Sequence, residues 1–293
     1  MLILLIGKYG QLGWELQRAL APLGKVVAID YPEIDLVRPD DVQKLVQEIN
    51  PQVIVNATAY TAVDRAEDEL DQAIAINGRA PGLLAEQARR CRGALIHYST
   101  DYVFDGSKGS DYIETDIPNP LSVYGRSKLA GEQAIQQVGG AYLILRTSWV
   151  YSMRRDSFVT KVLEWARKQR TLRVVDDQVS NPTWCRMLAE VTAQLLAKAG
   201  NDPVGWLVEH SGLYHVAGSG KASRYQWAQA ILASDPRREE QVVQEIVPAK
   251  TSEFPTPAQR PAHSALNCDL FPSVFNLKLP DWQDALQLAM ENA

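Results

Sequence analysis

The sequence has few of the features that mark secreted, membrane-spanning or metal-cluster proteins. Its 293 residues include three cysteines, Cys91, Cys185 and Cys268, which are far apart and form no CxxC pair. This spacing predicts neither a disulfide framework nor a zinc site. The apolar run Met1–Ile6 is about one strand long, has no basic segment before it, and no other apolar run approaches bilayer length. We therefore expect a protein of the reducing cytoplasm with no membrane partner.

Clusters of positive charge are also scarce. The formal net charge is -5, the sequence pI is about 5.5, and adjacent basic residues form short groups such as Arg237–Arg238. This balance argues against nucleic acid as a partner. With 46% hydrophobic and 22% charged residues, the composition is that of a globular protein with apolar material for one large or two modest cores.

The first half of the sequence alternates two patterns. Short β-branched or leucine-rich runs predict strands at Leu2–Ile6, Val26–Ile29, Val53–Asn56, Ala94–Tyr98 and Tyr142–Arg146. Apolar positions at helical spacing predict helices at Gln11–Leu20, Pro39–Ile49, Glu69–Cys91 and Val123–Gln137. This alternation predicts an α/β fold in which helices cover a parallel sheet.

The pattern becomes more irregular in the second half. It predicts helices at Phe158–Lys168 and Met187–Lys198, a short strand at Tyr214–Val216, and an ordered loop from Pro248 to Pro261. We therefore expect a larger domain over residues 1–150, to which later segments return, and a smaller lobe over residues 151–293.

A glycine-rich turn follows the first predicted strand. Gly7, Gly10 and Gly13 form a GxxGxxG pattern that leads directly into a predicted helix. Glycines let the backbone turn tightly and approach a pyrophosphate, while the helix N-terminus presents free N–H groups and a positive dipole to it. The bare pattern also fits an ordinary strand-to-helix turn. The order of strand, glycines and helix favours a dinucleotide site.

Asp30 closes the second predicted strand, 17 residues after Gly13. An acid at this place can accept hydrogen bonds from an adenosine ribose, although Asp30 also suits a turn before Pro32. A carboxylate there repels a 2'-phosphate, so charge alone predicts that NADH is accepted. NADPH would require a compensating base, which Lys8 could supply.

Tyr124 and Lys128 lie one turn apart on one face of a predicted amphipathic helix. A phenol has an ordinary pKa of about 10, and an ammonium at about 4 Å could lower it to near 7. Such a pair suits proton transfer during carbonyl reduction. Taken alone, the YxxxK pattern more often marks a surface tyrosine and a solvated lysine.

Thr100 follows the strand Ala94–Tyr98 and so is expected at the carboxyl end of a parallel sheet, where ligands bind. Its hydroxyl can donate a hydrogen bond to a substrate carbonyl. A hydroxyl at a strand end can equally satisfy the local backbone, and that reading would be favoured without the glycine turn and the Tyr/Lys pair.

With these residues the chain resembles the extended short-chain dehydrogenase/reductases, and among them the reductases of sugar nucleotides. The resemblance extends over nearly the whole chain. It rests on the blocks GKYGQLGWELQRAL, VNATAYTAVDRAE, HYSTDYVFDG, NPLSVYGRSKLAGE, RTSWVY, DQVSNPT and PTPAQRPAHSALN. It implies a Rossmann-type doubly wound parallel sheet as the NAD(P)-binding domain, a smaller C-terminal substrate-binding lobe, and NADPH or NADH as cofactor. The implied reaction is reduction of the C4 keto group of a dTDP-linked 4-dehydro sugar for cell-surface polysaccharide.

The resemblance also implies roles for individual residues. The implied cofactor-binding residues are Gly7, Gly10, Gln11, Leu12, Gly13, Asp30, Asp35, Leu36, Thr58, Ala59, Tyr60, Tyr124 and Lys128. The implied substrate-binding residues are Thr100, Asp101, Tyr102, Trp149 and Arg260, with Thr100, Tyr124 and Lys128 as the catalytic set. By composition alone, Trp149 could equally be a core aromatic and Arg260 a surface side chain.

Three alternatives stay open at this point. Dehydratases of the same superfamily carry Glu where this chain has Tyr102, so elimination is disfavoured. An NAD-retaining sugar-nucleotide epimerase is less well excluded, as is a non-catalytic subunit like the methionine adenosyltransferase beta subunit. We expect no metal site, although some relatives bind a divalent ion at a dimer contact near the position of Glu15. That leaves Mg²⁺ and a homodimer as further possibilities.

Overall fold

The computed structural model describes residues 1–291, in which strands and helices alternate as the sequence predicts. The strands are β1 Leu2–Ile6, β2 Lys25–Ile29, β3 Val53–Asn56, β4 Ala94–Thr100, β5 Ala141–Thr147, β6 Val150–Tyr151, β7 Thr171–Val175, β8 Val179–Ser180, β9 Thr183–Trp184, β10 Gly212–His215, β11 Ala222–Ser223 and β12 Glu245–Ala249. The α-helices are α1 Gln11–Ala19, α2 Pro39–Ile49, α3 Leu70–Ala73, α4 Ala80–Arg90, α5 Val123–Val138, α6 Phe158–Ala166, α7 Cys185–Lys198, α8 Pro203–Glu209, α9 Arg224–Ala233, α10 Leu270–Phe275 and α11 Trp282–Met290.

Six strands form one parallel sheet in the order β10-β5-β4-β3-β1-β2. Ile6 pairs with Asn56 on one side, and Thr100 pairs with Thr147 further along the sheet. The carboxyl ends of these strands therefore meet at one edge, which is where ligands bind in open α/β sheets. The predicted Rossmann-type α/β fold is confirmed.

Apolar side chains of the sheet point to both faces, as expected for strands buried on both sides. On one face, Ile3 and Leu5 pack in a core that includes Leu12 and Leu16 of α1. The opposite face is covered by α2, α4 and α5, whose buried residues include Val42, Val46, Leu84, Ala88 and Ile135. The two-sided packing fixes the strands and so the loops that follow them.

The helix predicted over Glu69–Cys91 is not regular in the structure. The segment Ile74–Arg79 between α3 and α4 has π-helical hydrogen bonding. Asn77, in this segment, accepts from the Tyr60 amide (2.8 Å) and donates to the Ser127 hydroxyl (3.0 Å) on α5. The irregular turn therefore fastens the helix that carries Tyr124 and Lys128.

The second half of the chain contributes to both parts of the molecule. The expected strand at Tyr214–Val216 is β10, which pairs with β5 at one edge of the central sheet. Shorter strands pair as β12 with β7, β11 with β8, and β6 with β9. The boundary near residue 150 stays a prediction. Within residues 1–291, no helix is both long enough and apolar enough to cross a membrane.

Candidate active site

The glycine turn has the backbone that phosphate binding requires. Gly7 has φ +98°, and its carbonyl accepts from the Gly10 amide at 3.0 Å. A Cβ added at Gly13 would lie 1.9 Å from the Gly7 oxygen, so this position excludes any side chain. The first turn of α1 has no side-chain cap, which leaves its N–H groups directed at the space above the turn. These residues fit a dinucleotide pyrophosphate.

A large cleft of about 2510 Å³ lies over the carboxyl edge of the sheet. This volume exceeds that of ordinary small-molecule pockets, about 300–1,000 Å³, and is sufficient for a cofactor and a second nucleotide. The expected site residues that line it are Gly7, Gly10, Gln11, Leu12, Asp30, Asp35, Leu36, Thr58, Ala59, Thr100, Asp101, Tyr124, Lys128 and Trp149. The structure thus brings most of the predicted site into one cleft.

Four expected residues are not part of the cleft lining. Gly13 is buried behind the turn, and Tyr60 is buried with its hydroxyl on Glu69 (2.5 Å). Arg260 is paired with Asp64, and its charge acts on the Tyr102 phenol. Gly13 therefore serves the packing of the turn, and a cofactor contact of Tyr60 stays a prediction.

Asp30 is engaged by the glycine turn itself. Its carboxylate accepts from the amides of Tyr9 (2.9 Å) and Tyr31 (2.8 Å). Lys8, the expected compensating base, donates to Glu33 at 2.7 Å, and this contact raises the lysine pKa. The end of the cleft beside Asp30 therefore holds two carboxylates and a lysine that is already paired.

The Tyr124 phenol differs from expectation in its protonation. Burial raises its pKa above the ordinary value of 10, Asp101 and Tyr102 add to this, and a hydrogen bond with Thr100 opposes it. The expected lowering to near 7 is wrong for this structure, because burial of the phenol dominates and raises its pKa. Tyr124 is therefore held as a protonated acid.

Lys128 is 1% exposed and is directed away from solvent. Its Nζ donates to the Tyr98 carbonyl at 2.6 Å and lies 3.1 Å from Nε2 of His97. Burial lowers the lysine pKa to about 8, while the Glu132 carboxylate acts to raise it. The ammonium of Lys128 therefore remains the major form at neutral pH, and the neutral amine becomes the major form above about pH 8.

Thr100 ends β4 and is coupled to a buried carboxylate. Its hydroxyl donates to Asp101 (3.1 Å), which also accepts from the hydroxyls of Ser180 (2.9 Å) and Ser264 (2.5 Å). Asp101 is 2% exposed, and burial raises its pKa to about 6 against these hydrogen bonds. The serines come from separate parts of the C-terminal half, so Asp101 links the sheet edge to that half.

Aromatic side chains surround the other side of Thr100. Tyr102 meets Tyr124 edge to face with 5.8 Å between ring centroids. Trp149 adopts φ +41°, a conformation that costs a non-glycine residue about 1–3 kcal/mol and often marks a functional site. Its ring stacks on Trp227 (5.5 Å), and the Arg224 guanidinium lies 3.7 Å from the Trp149 ring centre. Arg224 fixes the strained tryptophan at the cleft wall.

Arg260 is held in place rather than free on the surface. It makes a two-point contact with Asp64, with Nη1–Oδ1 at 3.0 Å and Nη2–Oδ2 at 2.7 Å. Nη1 also donates to Thr256 and to the Ala258 carbonyl. This contact orients the guanidinium, whose charge acts on Tyr102 and Arg224.

The Glu15 carboxylate forms an ion pair. It lies 3.4 Å from Nε of Arg186 on α7. Residues 1–291 contain no group of three or more His, Cys, Asp or Glu side chains arranged to hold a metal ion. The structure therefore gives Mg²⁺ at Glu15 no support.

Sequence reasoning missed the basic segment between β6 and α6. The Arg155 guanidinium donates to the carbonyl of Tyr9, and the Gln11 side chain reaches the Asp156 carbonyl at 3.5 Å. Arg154, Arg155 and Asp156 line the same cleft as the glycine turn. The two adjacent arginines were the available signal, but their separation from the turn along the chain hid the contact.

The comparisons with known proteins cover the whole chain. The family model described as "RmlD substrate binding domain" matches residues 1–293. The chain is 43% identical over 295 residues to a dTDP-4-dehydrorhamnose reductase of Burkholderia thailandensis, covering 100% of this chain and 99% of the relative. It is 42% identical over 289 residues to the enzyme of the same name from Escherichia coli, covering 97% and 95%.

Solved structures also match this chain over nearly its full length. The crystal structure of a Bacillus anthracis dTDP-4-dehydrorhamnose reductase in complex with NADP has a TM-score of 0.90 at 31% identity, covering 100% of this chain and 99% of that one. A Thermus thermophilus UDP-glucose 4-epimerase in complex with NAD has a TM-score of 0.78 at 21% identity, covering 99% and 98%, which shows a shared fold. The chain therefore belongs to the RmlD substrate binding domain family, together with the dTDP-4-dehydrorhamnose reductases.

Proposed function

We propose that the chain reduces the C4 keto group of dTDP-4-dehydro-β-L-rhamnose to give dTDP-L-rhamnose, in the biosynthesis of dTDP-rhamnose. The observation that carries this proposal is the meeting of Thr100, Tyr124 and Lys128 with the glycine turn in one cleft. The family supplies the substrate, since relatives with this name match over nearly their full length.

The cleft fits a nicotinamide dinucleotide. The uncapped start of α1 and the side-chain-free Gly13 suit the pyrophosphate, and Asp30 suits the adenosine ribose. Lys128 would hold the nicotinamide ribose. When bound, NAD(P)H supplies the hydride for C4 of the keto sugar.

The residues around Tyr124 supply the proton. A phenol whose pKa is raised stays protonated at neutral pH, so Tyr124 has a proton to give. Tyr124 would therefore protonate the developing alkoxide at C4. The Thr100 hydroxyl, which donates to Asp101 in this structure, would turn from that carboxylate to donate to the same oxygen, and Trp149 with Tyr102 would bound the sugar.

The cofactor preference follows from charge. Asp30 and Glu33 disfavour a 2'-phosphate, while Lys8 and Arg155 are positioned to offset it only in part because Lys8 is paired with Glu33. NADH is therefore the better cofactor of this chain, with NADPH accepted. The expected homodimer stays a prediction.

An assay with purified protein tests the function. With dTDP-4-dehydro-L-rhamnose, we expect NADH or NADPH to be consumed stoichiometrically and the product to have the C4 configuration of dTDP-L-rhamnose. An epimerase would instead retain its cofactor, and a binding subunit would show no turnover.

Tyr124→Phe should lower kcat by about 10² to 10⁴-fold with little change in NADH affinity, because it removes the proton donor and leaves the ring. Tyr142→Phe, at the start of β5 and away from the carboxyl edge, is the matched control. An unaltered kcat in Tyr124→Phe would remove Tyr124 from the mechanism.

A further inference from the structure

A chain of four polar side chains runs from the wall of the cleft to Lys128. Thr58 lines the cleft, and its amide and hydroxyl both donate to Oδ1 of Asn56, at 3.1 and 2.5 Å. Nδ2 of Asn56 lies 3.1 Å from Nδ1 of His97, and Nε2 of His97 lies 3.1 Å from Nζ of Lys128. Asn56 and His97 are paired across β3 and β4, so the sheet register holds them together.

The backbone N–H of Thr58 fixes the direction of every hydrogen bond along this row of four side chains. A backbone N–H can only donate, so the Asn56 oxygen must face Thr58 and the Asn56 NH₂ must face His97. An amide NH₂ can only donate, so Nδ1 of His97 accepts and the ring proton of the neutral imidazole is on Nε2. That proton points at Nζ of Lys128, which can accept it only as a neutral amine.

A charged Lys128 would break this pattern. An ammonium has no lone pair, so Nε2 of His97 would have to accept and Nδ1 would have to carry the proton. Two donors would then face each other between His97 and Asn56. Turning the Asn56 amide relieves that contact but leaves the Thr58 amide opposite another donor. Unsatisfied buried groups of this kind are costly, and Asn56, His97 and Lys128 are each 1% exposed or less.

The surrounding charges do not override the pattern. The carboxylate that acts on Lys128 is Glu132, and it is held by Arg146 at 2.6 Å and by the Ser99 hydroxyl at 2.5 Å. Asp101 acts on Tyr124 and is not among the groups that act on Lys128. Burial lowers the pKa of both His97 and Lys128, that of Lys128 to about 8, which is the direction that the hydrogen bonds favour.

We propose that His97 is a positioning residue that couples the charge of Lys128 to Asn56 and Thr58, and so favours the neutral amine over the ammonium until Thr58 and Asn56 rearrange. The proposal rests on the proposed function for its consequence in catalysis. It assigns a role to a buried histidine that the reduction chemistry itself does not use.

The tautomer of His97 is a direct test that needs no turnover. In protein with ¹⁵N-labelled histidine, the ring shifts of His97 should show a neutral imidazole protonated on Nε2 at pH 9, above the Lys128 pKa of about 8. The sequence has four histidines, and His97→Gln identifies the signal by its loss. Asn56→Asp places an acceptor opposite Nδ1, so in that variant the proton should be on Nδ1 at the same pH. A wild-type imidazole protonated on Nδ1 at pH 9 would overturn the proposal.

The pH dependence of NADH binding and of kcat/KM tests the coupling to Lys128. Asn56→Asp favours the ammonium, so the Lys128 pKa should rise by one unit or more. This pKa appears as one limb of each pH profile. His97→Gln should also raise this limb, since its amide oxygen can accept from the ammonium. A merely structural role for Asn56 and His97 would lower the rate in both variants without moving the limb.

If the pH profiles of both Asn56→Asp and His97→Gln coincide with those of wild type, the proposal is contradicted. If no 4-keto sugar nucleotide is reduced but the NADH-binding limbs move as stated, the proposed function fails and the His97 coupling stands. The two outcomes are therefore distinguishable.

Discussion

The Lys8–Glu33 ion pair sets the charge beside the expected ribose position. Glu33 is exposed and engages Lys8 at 2.7 Å, next to the Asp30 carboxylate. Glu33→Gln removes one negative charge and releases the lysine, so NADPH should gain relative to NADH. We expect the ratio of kcat/KM for NADPH to that for NADH to rise several-fold, measured with both cofactors at low ionic strength.

The control for this change is Glu48→Gln. Glu48 is an exposed glutamate that pairs with Lys44 on α2, away from the glycine turn. It should leave the selectivity unchanged. Because the effect of Glu33→Gln is electrostatic, it should shrink in 1 M salt, and a selectivity that stays at the wild-type value at low salt would show that the 2'-phosphate does not lie near Glu33.

Asp101 gives the fold a specific pH dependence. Its pKa in the folded chain is about 6 because of burial, against an ordinary value of 3.8. The folded chain therefore binds this proton more tightly than the unfolded chain, and the stability it provides is lost as the pH rises from about 4 through 6. Between pH 4.5 and 7 the loss amounts to about 2 kcal/mol. Asp101→Asn should remove that part of the slope in denaturant unfolding.

Asp105 offers a contrast of opposite sign. Hydrogen bonds from the Ser107 amide and from Asn119 hold its pKa below the ordinary value. The Asp105 carboxylate therefore stabilises the fold above about pH 4, and this stabilisation is lost as the pH falls. Asp105→Asn should therefore reduce stability at pH 7 more than at low pH.

The Asp101 prediction has a clear contrary outcome. If the free energy of unfolding has the same slope with pH in wild type and in Asp101→Asn, burial does not raise the Asp101 pKa in the folded chain.

At the scale of elements, close packing of α5 on the π-helical segment positions the catalytic pair. A Cβ at Gly131 would lie 2.2 Å from the Asn77 carbonyl, a backbone atom that cannot rotate away. Gly131→Ala should displace α5, destabilise the fold by about 1–3 kcal/mol, and lower kcat by about 10- to 100-fold. Thermal unfolding and steady-state kinetics measure the two effects.

Gly78→Ala on the facing segment is the matched control. Its Cβ would meet Ala130 at 3.4 Å, an ordinary contact. Alanine is also the better helix former by about 1 kcal/mol, so this variant should keep its stability and its kcat. If Gly131→Ala behaves like Gly78→Ala, α5 is not held at the distance that the structure shows.

The elements themselves were largely predictable from sequence. Apolar runs of strand length placed β1, β2, β3, β4 and β5 to within one or two residues, since strands buried on both faces have a continuous apolar signature. The helix over Glu69–Cys91 was predicted as regular, and periodicity could not show the π-helical turn. That turn depends on Asn77 reaching Tyr60 and Ser127, which are distant in sequence.

Whole-molecule contacts explain which parts of the site were predictable. Thr100, Asp30 and the glycine turn follow strands, so their meeting at one sheet edge follows from a parallel sheet. Burial of Tyr124 and the reversal of its expected pKa shift could not be read from helical spacing. His97 was missed as well, because its position inside β4 gave only the pattern of a core strand residue.

Ligand binding should show that Arg260 and the glycine turn bind different ligands. Arg260 is outside the lining of the cleft and is oriented by Asp64. If it binds the diphosphate of the sugar nucleotide, Arg260→Gln should abolish most of the stabilisation by dTDP and leave that by NADH intact.

Differential scanning measures both effects in one experiment. A ligand at 100 times its Kd stabilises the folded state by about 2.7 kcal/mol, which raises Tm by several degrees. Wild type should show this rise with NADH and with dTDP, and Arg260→Gln should show it with NADH alone. Arg237→Gln, a substitution of an exposed arginine, should match wild type with both ligands. A full dTDP response in Arg260→Gln would place the diphosphate elsewhere, with Arg224 as the remaining guanidinium beside Asp101 and Tyr102.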